Sequence, residues 1–115
     1  MKAKRLMRSV VAMSLVLCAS QALAQSKLSD VKKASEFSAM CQPTASEAQK
    51  SYLAGFVTGA ADASVGKHIC PKDAASSQQL VETFCSYLKA HPKNLNRPGG
   101  LLLGLAFSEA WPCKQ

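Results

Sequence analysis

Four segments of the chain after residue 24 place apolar residues at helical spacing. The best defined of them starts with the capping-box pair Ser76 and Gln79 and ends before Pro92. Its apolar positions recur at spacings of three and four residues: Leu80, Val81, Phe84 and Leu88. The pattern predicts an amphipathic helix between Ser76 and Pro92.

A longer helix is predicted from Ala45 to about Val65. Thr44, followed three residues later by Glu47, is a capping-box pattern at its start. Gly66 supplies the stop, because glycine readily adopts the left-handed conformation in which many helices end.

Two further helices are predicted at the ends of the domain. One runs from a Ser29 cap to about Met40, and the other begins near Pro98, which suits a first helical turn, and stops before Pro112. Their apolar positions are Leu28, Val31 and Phe37 in the first and Leu101, Leu102 and Leu105 in the last. No convincing pair of strands is visible. The expected fold is therefore a compact all-α bundle of four main helices.

Residues 1–24 have the layout of a secretory signal peptide. Four basic residues precede the apolar stretch from Val10 to Cys18, and the box Ala22-Leu23-Ala24 follows it. Cleavage after Ala24 leaves a single domain, residues 25–115, which we expect to be exported. A lipidation motif has a small residue before its cysteine, and Leu17 stands there instead. No later segment is long enough to span a bilayer, so we expect no membrane anchor.

Charge changes the picture little once the signal peptide is set aside. The formal net charge of the full chain is +7, and four of its 14 basic residues lie before residue 9. Residues 25–115 keep ten basic against seven acidic residues, a net charge of +3. Both signs are interspersed, so the chain lacks the clustered basic face typical of nucleic-acid binding. We expect no nucleic-acid partner.

Four cysteines remain after the signal peptide: Cys41, Cys70, Cys85 and Cys113. An even number in a small exported domain indicates two disulfides, and three pairings are possible. We favour Cys70–Cys113 with Cys41–Cys85, although spacing alone leaves the choice open. His68 lies near Cys70, but no pair of ligands has the spacing of a metal site and no haem-attachment motif occurs. We therefore expect no metal and no other cofactor.

A row of small residues follows one face of the second predicted helix. Gly55 and Gly59 lie four residues apart and Ala63 continues the row, so another surface can approach closely. Either the row packs against another helix of the bundle, or it forms a self-complementary homodimer face. Asp62 lies beside it, and we expect a hydrogen-bonded structural carboxylate there, with no catalytic partner.

The order and spacing of these residues resemble the Rap/Tai immunity family. The resemblance rests on the following residues: Tyr52, Gly55, Gly59, Asp62, Cys70-Pro71, Ser76, Gln79, Tyr87-Leu88, His91-Pro92 and Trp111-Pro112-Cys113. It implies a small periplasmic helical protein that binds and neutralises a peptidoglycan amidase effector delivered by type VI secretion. By the same resemblance, the following residues serve the fold and its packing: Tyr52, Gly55, Gly59, Asp62, Gln79, Tyr87, Pro92 and Trp111.

The chain departs from the family pattern at its cysteines. Members often carry a cysteine where this chain has Ser51, and a phenylalanine where it has Trp111. The resemblance implies that Cys70 and Cys113 keep each other, and that Cys85 replaces the missing partner of Cys41.

An inhibitor of this kind would block an enzyme cleft with exposed loops on a rigid scaffold. Two polar loops are candidates: Lys67, His68 and Lys72 lie in one, and Lys93, Asn94, Leu95 and Arg97 in the other. The basic groups would pair with acidic residues around the cleft, and Leu95 would be the apolar anchor. The chief alternative is a periplasmic chaperone or stress-binding protein, or a family member with another partner. An enzyme is disfavoured, because the chain has no phosphate loop or nucleophile elbow.

Overall fold

The structure, a computed structural model, describes residues 31–114. Four α-helices and one 3-10 turn follow in order: α1 Ala34–Met40, α2 Glu47–Ser64, α3 Ser77–Ala90, the turn Pro92–Asn94, and α4 Gly99–Ala110. Over these residues the only β-type pairings are two isolated bridges. The predicted all-α bundle of four helices is confirmed. The predicted signal peptide and the residues Leu28 and Ser29 lie outside the described residues.

One apolar core joins all four helices, and α3 lies at its centre, packed against α1, α2 and α4. Phe84 of α3 is fully buried, and its ring meets that of Phe37 edge-on with centroids 5.8 Å apart. The Phe37 ring also stacks on Phe56 of α2 at 4.5 Å. Buried aromatic groups in such contact contribute more than their area alone, so Phe37 fixes the short helix α1 to the bundle.

Two helix ends confirm local sequence signals. At the start of α3, Ser76 Oγ accepts a hydrogen bond from the Gln79 amide at 3.2 Å, and Gln79 Oε1 accepts one from the Ser76 amide at 2.9 Å. After α2, Gly66 has a φ of 79°, the left-handed conformation that a side chain disfavours. Both features depend on residues within a single turn, which explains why the sequence pattern was sufficient.

The start of α2 differs from the prediction. Its cap is Ser46 with Gln49, joined by the same pair of hydrogen bonds at 3.2 and 2.9 Å, and not Thr44 with Glu47. The preceding residues form a turn that closes α1, in which the Ala45 amide donates to the Gln42 carbonyl. The helix therefore begins two residues later than expected, and Glu47 occupies its first turn.

The start of α1 also differs. Residues 31–33 are not helical, and Lys33 forms an antiparallel bridge with Pro98. The Gly99 amide donates to the Lys32 carbonyl at 2.9 Å and the Ala34 amide donates to the Arg97 carbonyl at 2.8 Å. These bonds satisfy backbone groups in the segment before α4, so the helix predicted from Ser29 starts at Ala34 instead.

Both disulfides have the favoured pairing. Cys41–Cys85 joins the end of α1 to α3, with Cα atoms 5.7 Å apart. Cys70–Cys113 joins the loop after α2 to the segment after α4, with Cα atoms 4.8 Å apart. The first therefore ties the shortest helix to the central one, and the second closes one end of the bundle.

Candidate partner-binding surfaces

The loop between α2 and α3, residues 65–76, is a braced segment with exposed basic side chains. The Ser64 carbonyl accepts hydrogen bonds from the amides of residues 67, 68 and 69, and Ile69 is buried in the core. The Cys70 amide donates to the Trp111 carbonyl at 2.9 Å, beside the Cys70–Cys113 disulfide. The predicted contact residues of this loop are all exposed: Lys67, His68 and Lys72.

The loop between α3 and α4, residues 91–98, presents fewer of its predicted contact groups. Lys93 and Arg97 are exposed, whereas Asn94 is half-buried. Leu95 is half-buried against the core, and its carbonyl accepts a hydrogen bond from the Ser35 amide at 2.9 Å. The side chain of Leu95, expected to be an apolar anchor, thus contributes to packing within the bundle and offers only part of its surface to a partner.

The two loops lie at opposite ends of α3. This helix has 14 residues, and at 1.5 Å per residue it separates its ends by about 21 Å. The bundle thus has two separate basic surfaces, one in residues 65–76 and one in residues 91–98, which we call its two basic ends. A partner whose contact is centred on one loop would therefore meet the other loop only at the edge of that contact.

The glycine row of α2 faces outward. Gly55 and Gly59 are exposed, and a Cβ added to either would meet nothing within 4 Å. The buried residues Leu53, Val57 and Ala61 recur every four residues along α2. Each glycine follows one of them by two residues and therefore points about 160° away from the buried face. The expectation that this row packs against another helix of the same bundle is wrong, while the homodimer face remains a prediction.

Beside the glycine row lies an apolar groove between α2 and α4. It has a volume of about 460 Å³ and is lined by Phe56 and Ala60 on one side and by Leu101 and Leu105 on the other. The two leucines are 49% and 45% exposed. The sequence does contain a signal for this surface. A helix that buries one face needs a single stripe of apolar residues, and α4 carries leucines outside that stripe as well. We refer to it as the α2–α4 groove.

A second groove, of about 600 Å³, lies between α3 and the end of α4. It is lined by aromatic, carboxylate and small polar side chains: Gln79, Glu82, Thr83, Ser86, Tyr87, Ala90, His91, Ala106, Glu109, Ala110 and Trp111. Tyr87 and Trp111 are half-buried against the core, as packing residues are expected to be. His91 stacks on Tyr87 at 4.0 Å, and its Nδ1 lies 2.8 Å from the Tyr87 carbonyl oxygen. We refer to it as the α3–α4 groove.

The remaining residues expected to serve the fold differ in what they do. Gln79 completes the α3 cap and Pro92 opens the 3-10 turn, whereas Tyr52 is 48% exposed at the surface of α2. Asp62 is exposed, and it makes no side-chain hydrogen bond or ion pair within residues 31–114. The hydrogen-bonded structural carboxylate expected at Asp62 is therefore not found among these residues, and the Ser64 carbonyl and Gly66 organise the following loop through the backbone.

Within the described part of the chain, there is neither a free cysteine nor a cluster of metal ligands. All four cysteines of residues 31–114 are in disulfides, so none of them offers a thiolate. No group of three or more potential metal ligands comes together there. None of the helices over the same residues is long and apolar enough to cross a membrane. The two basic ends and the two grooves are surfaces suited to binding a partner.

Comparison with known proteins connects this arrangement to a family. A search of curated proteins and a search of solved structures gave no match. The family model described as Rap1a immunity proteins matches residues 33–113, which include all four helices and both disulfides. The chain belongs to the Rap1a immunity protein family.

Proposed function

We propose that the protein binds and neutralises a secreted peptidoglycan amidase effector in the periplasm by covering its active-site cleft. The observation that carries this proposal is the family match over the whole described bundle, residues 33–113. A small scaffold held by two disulfides supports it, because a pre-ordered surface loses little conformational entropy on binding. In this proposal the chain acts by occlusion alone and catalyses no reaction.

Residues 65–76 are the better candidate for the segment that covers the cleft. They are fixed at both ends, by the Ser64 carbonyl and by the Cys70–Cys113 disulfide, and they keep Lys67, His68 and Lys72 exposed. In residues 91–98 the apolar side chain is turned into the bundle. We therefore place the effector contact at the α2–α3 loop.

The two basic ends provide matched variants for testing this placement. Lys67→Glu/Lys72→Glu and Lys93→Glu/Arg97→Glu each reverse two exposed charges at one end of α3. The first pair should slow association with the effector by about tenfold at low salt, because long-range attraction mainly sets the on-rate. The second pair should change it much less. Surface plasmon resonance at two salt concentrations measures both, and the opposite order would move the contact to residues 91–98.

The first experiment is to purify residues 25–115 from a periplasm and identify what binds. Candidate secreted amidases are titrated by calorimetry, and their hydrolysis of peptidoglycan is followed with and without the protein. One tight partner in a fixed ratio, with its hydrolysis blocked, is the expected result. Weak binding to many unfolded proteins would favour the chaperone-type alternative, for which the apolar α2–α4 groove would be the client surface.

We also propose that residues 1–24 are removed on export. The two disulfides are consistent with an oxidising compartment. The intact mass of the protein from a periplasmic extract should correspond to a chain that begins at Gln25 and has lost four thiol protons. A chain that keeps its first 24 residues would contradict this processing.

We further propose a homodimer formed by the glycine row and the adjacent α2–α4 groove. Exposed Leu101 and Leu105 beside Gly55 and Gly59 would let two copies of α2 approach closely and bury apolar area. Sedimentation velocity of residues 25–115 should show a dimer that Gly59→Leu converts to a monomer.

The matched control for this dimer is Gly59→Ala. A Cβ at Gly59 meets nothing in the single chain, so alanine should stabilise an isolated monomer by up to about 1 kcal/mol. A monomeric parent protein at micromolar concentration would reject the homodimer and leave the effector proposal intact.

A further inference from the structure

The α3–α4 groove combines carboxylates and aromatic rings from two different elements. Glu82 and Tyr87 come from α3, whereas Glu109 and Trp111 come from the end of α4 and the residue after it. Trp111 packs on Phe107 with ring centroids 5.5 Å apart and is only half-buried, so part of its indole faces the groove. The groove thus offers negative charge together with an apolar surface.

Its negative charge is not neutralised by the chain itself within the described residues. No lysine or arginine lines the groove. The Glu82 Oε1 atom accepts a hydrogen bond from the neutral Gln78 side chain at 2.8 Å, and Glu109 makes no ion pair within residues 31–114. Elsewhere on the bundle the carboxylates of Glu36 and Glu47 each have a lysine partner, at 3.5 and 3.1 Å. Asp62 and Asp73 have no ion pair within residues 31–114, but they line a cavity that also contains Lys72, whereas the α3–α4 groove has no basic lining of that kind. In a chain with excess positive charge, this groove is therefore suited to a cation from another molecule.

We propose that the α3–α4 groove binds an arginine side chain presented by a protein partner. A guanidinium group stacks on aromatic faces and donates paired hydrogen bonds to carboxylates, whereas an ammonium group does so less well. Trp111 supplies the aromatic surface, because His91 already stacks on one face of Tyr87, and Glu82 and Glu109 supply the acceptors. The identity of the partner rests on the proposed function, in which the effector carries the arginine. The chemistry of the groove does not depend on it.

The test uses residues 25–115 and a blocked Gly-Arg-Gly peptide, with the same peptide containing citrulline as its neutral counterpart. Trp111 is the single tryptophan of the chain and lines this groove and two neighbouring cavities, so its fluorescence reports on binding at this end of the bundle. Amide chemical shifts provide a second readout. The arginine peptide should give a saturable change with a dissociation constant roughly in the millimolar range, as expected for one anchoring side chain. The citrulline peptide should give none.

The double variant Glu82→Gln/Glu109→Gln should lower the affinity for the arginine peptide by about tenfold or more, since charge-assisted hydrogen bonds become neutral ones. Glu47→Gln is the matched control, because it removes an exposed carboxylate outside the groove and should leave the affinity unchanged. Circular dichroism checks that each variant is folded. The proposal is overturned if neither readout saturates, if citrulline binds as well as arginine, or if the double variant binds like the control. These titrations need no effector, so they fail independently of the immunity proposal.

Discussion

At the scale of single residues, Gly99 is the glycine that the packing requires. It is buried at the start of α4, and a Cβ there would overlap the ring of Phe37, while the Lys32 carbonyl oxygen lies 3.4 Å away. The next residue, Gly100, has its nearest neighbour, an atom of Phe56, at 3.9 Å. Close approach in this bundle therefore occurs between α1 and α4, and not at the glycines of α2.

This contrast makes a paired prediction. Gly99→Ala should lower the free energy of unfolding by about 2 to 3 kcal/mol, because Phe37 is held in the core and has no free space to move into. Gly100→Ala should be neutral or stabilise the protein by up to about 1 kcal/mol, since alanine favours a helix and meets only ordinary contact. Urea unfolding of both variants measures the difference. Equal effects would show that Gly99 is not closely packed.

A second residue prediction concerns Phe37 itself. It is 1% exposed and contacts Phe56 and Phe84. Phe37→Ala should cost about 3 to 5 kcal/mol, the range for removing a buried aromatic ring. Tyr52→Ala, at a neighbouring ring that is 48% exposed, is the control and should cost much less. Similar losses in urea unfolding for the two would mean that α1 is not attached through Phe37.

At the scale of elements, the bundle shows which helix starts a local pattern can predict. The α3 cap holds as expected, because Ser76 and Gln79 satisfy each other's backbone amides without help from the rest of the chain. For α2, two overlapping patterns compete, and the turn after α1 selects Ser46 over Thr44. For α1, pairing of residues 32–34 with residues 97–99 replaces the first helical turn.

The competing caps of α2 can be compared directly. Ser46→Ala should lower the free energy of unfolding by about 1 kcal/mol, since the Gln49 amide loses its acceptor. Thr44→Ala should change it by less than about 0.5 kcal/mol, as expected for an exposed residue outside a cap. Chemical denaturation with fluorescence detection is sufficient. A larger loss at Thr44 would restore the earlier helix start.

At the scale of the whole molecule, two cross-links of similar span hold the small bundle. They join residues 44 and 43 positions apart, and the chain-entropy estimate for loops of this size is about 4 kcal/mol each as an upper value. The bundle formed by residues 31–114 is small, so such a contribution is a large share of its total stability.

We predict that replacing either cysteine pair by alanines lowers the free energy of unfolding by up to about 4 kcal/mol. The two replacements should differ in where they act. Loss of Cys70–Cys113 should increase amide hydrogen exchange in residues 65–76, and loss of Cys41–Cys85 should do so in α1. Exchange that rises uniformly in both variants would show that the cross-links act only through the unfolded chain.

The sequence by itself determined the four helices, the stop at Gly66, the cap at Ser76 and the need for two disulfides, because each depends on residues close along the chain or on the count of cysteines. It also carried the family resemblance, which residues 33–113 confirm. Only the tertiary structure decided which faces are covered. The phase of Leu53, Val57 and Ala61 exposes Gly55 and Gly59, and the length of α3 separates the two basic loops. Packing also decides that Leu95 lies against the core and that Glu82 and Glu109 line the same groove. These positions depend on how segments distant in sequence pack together, which no local pattern specifies.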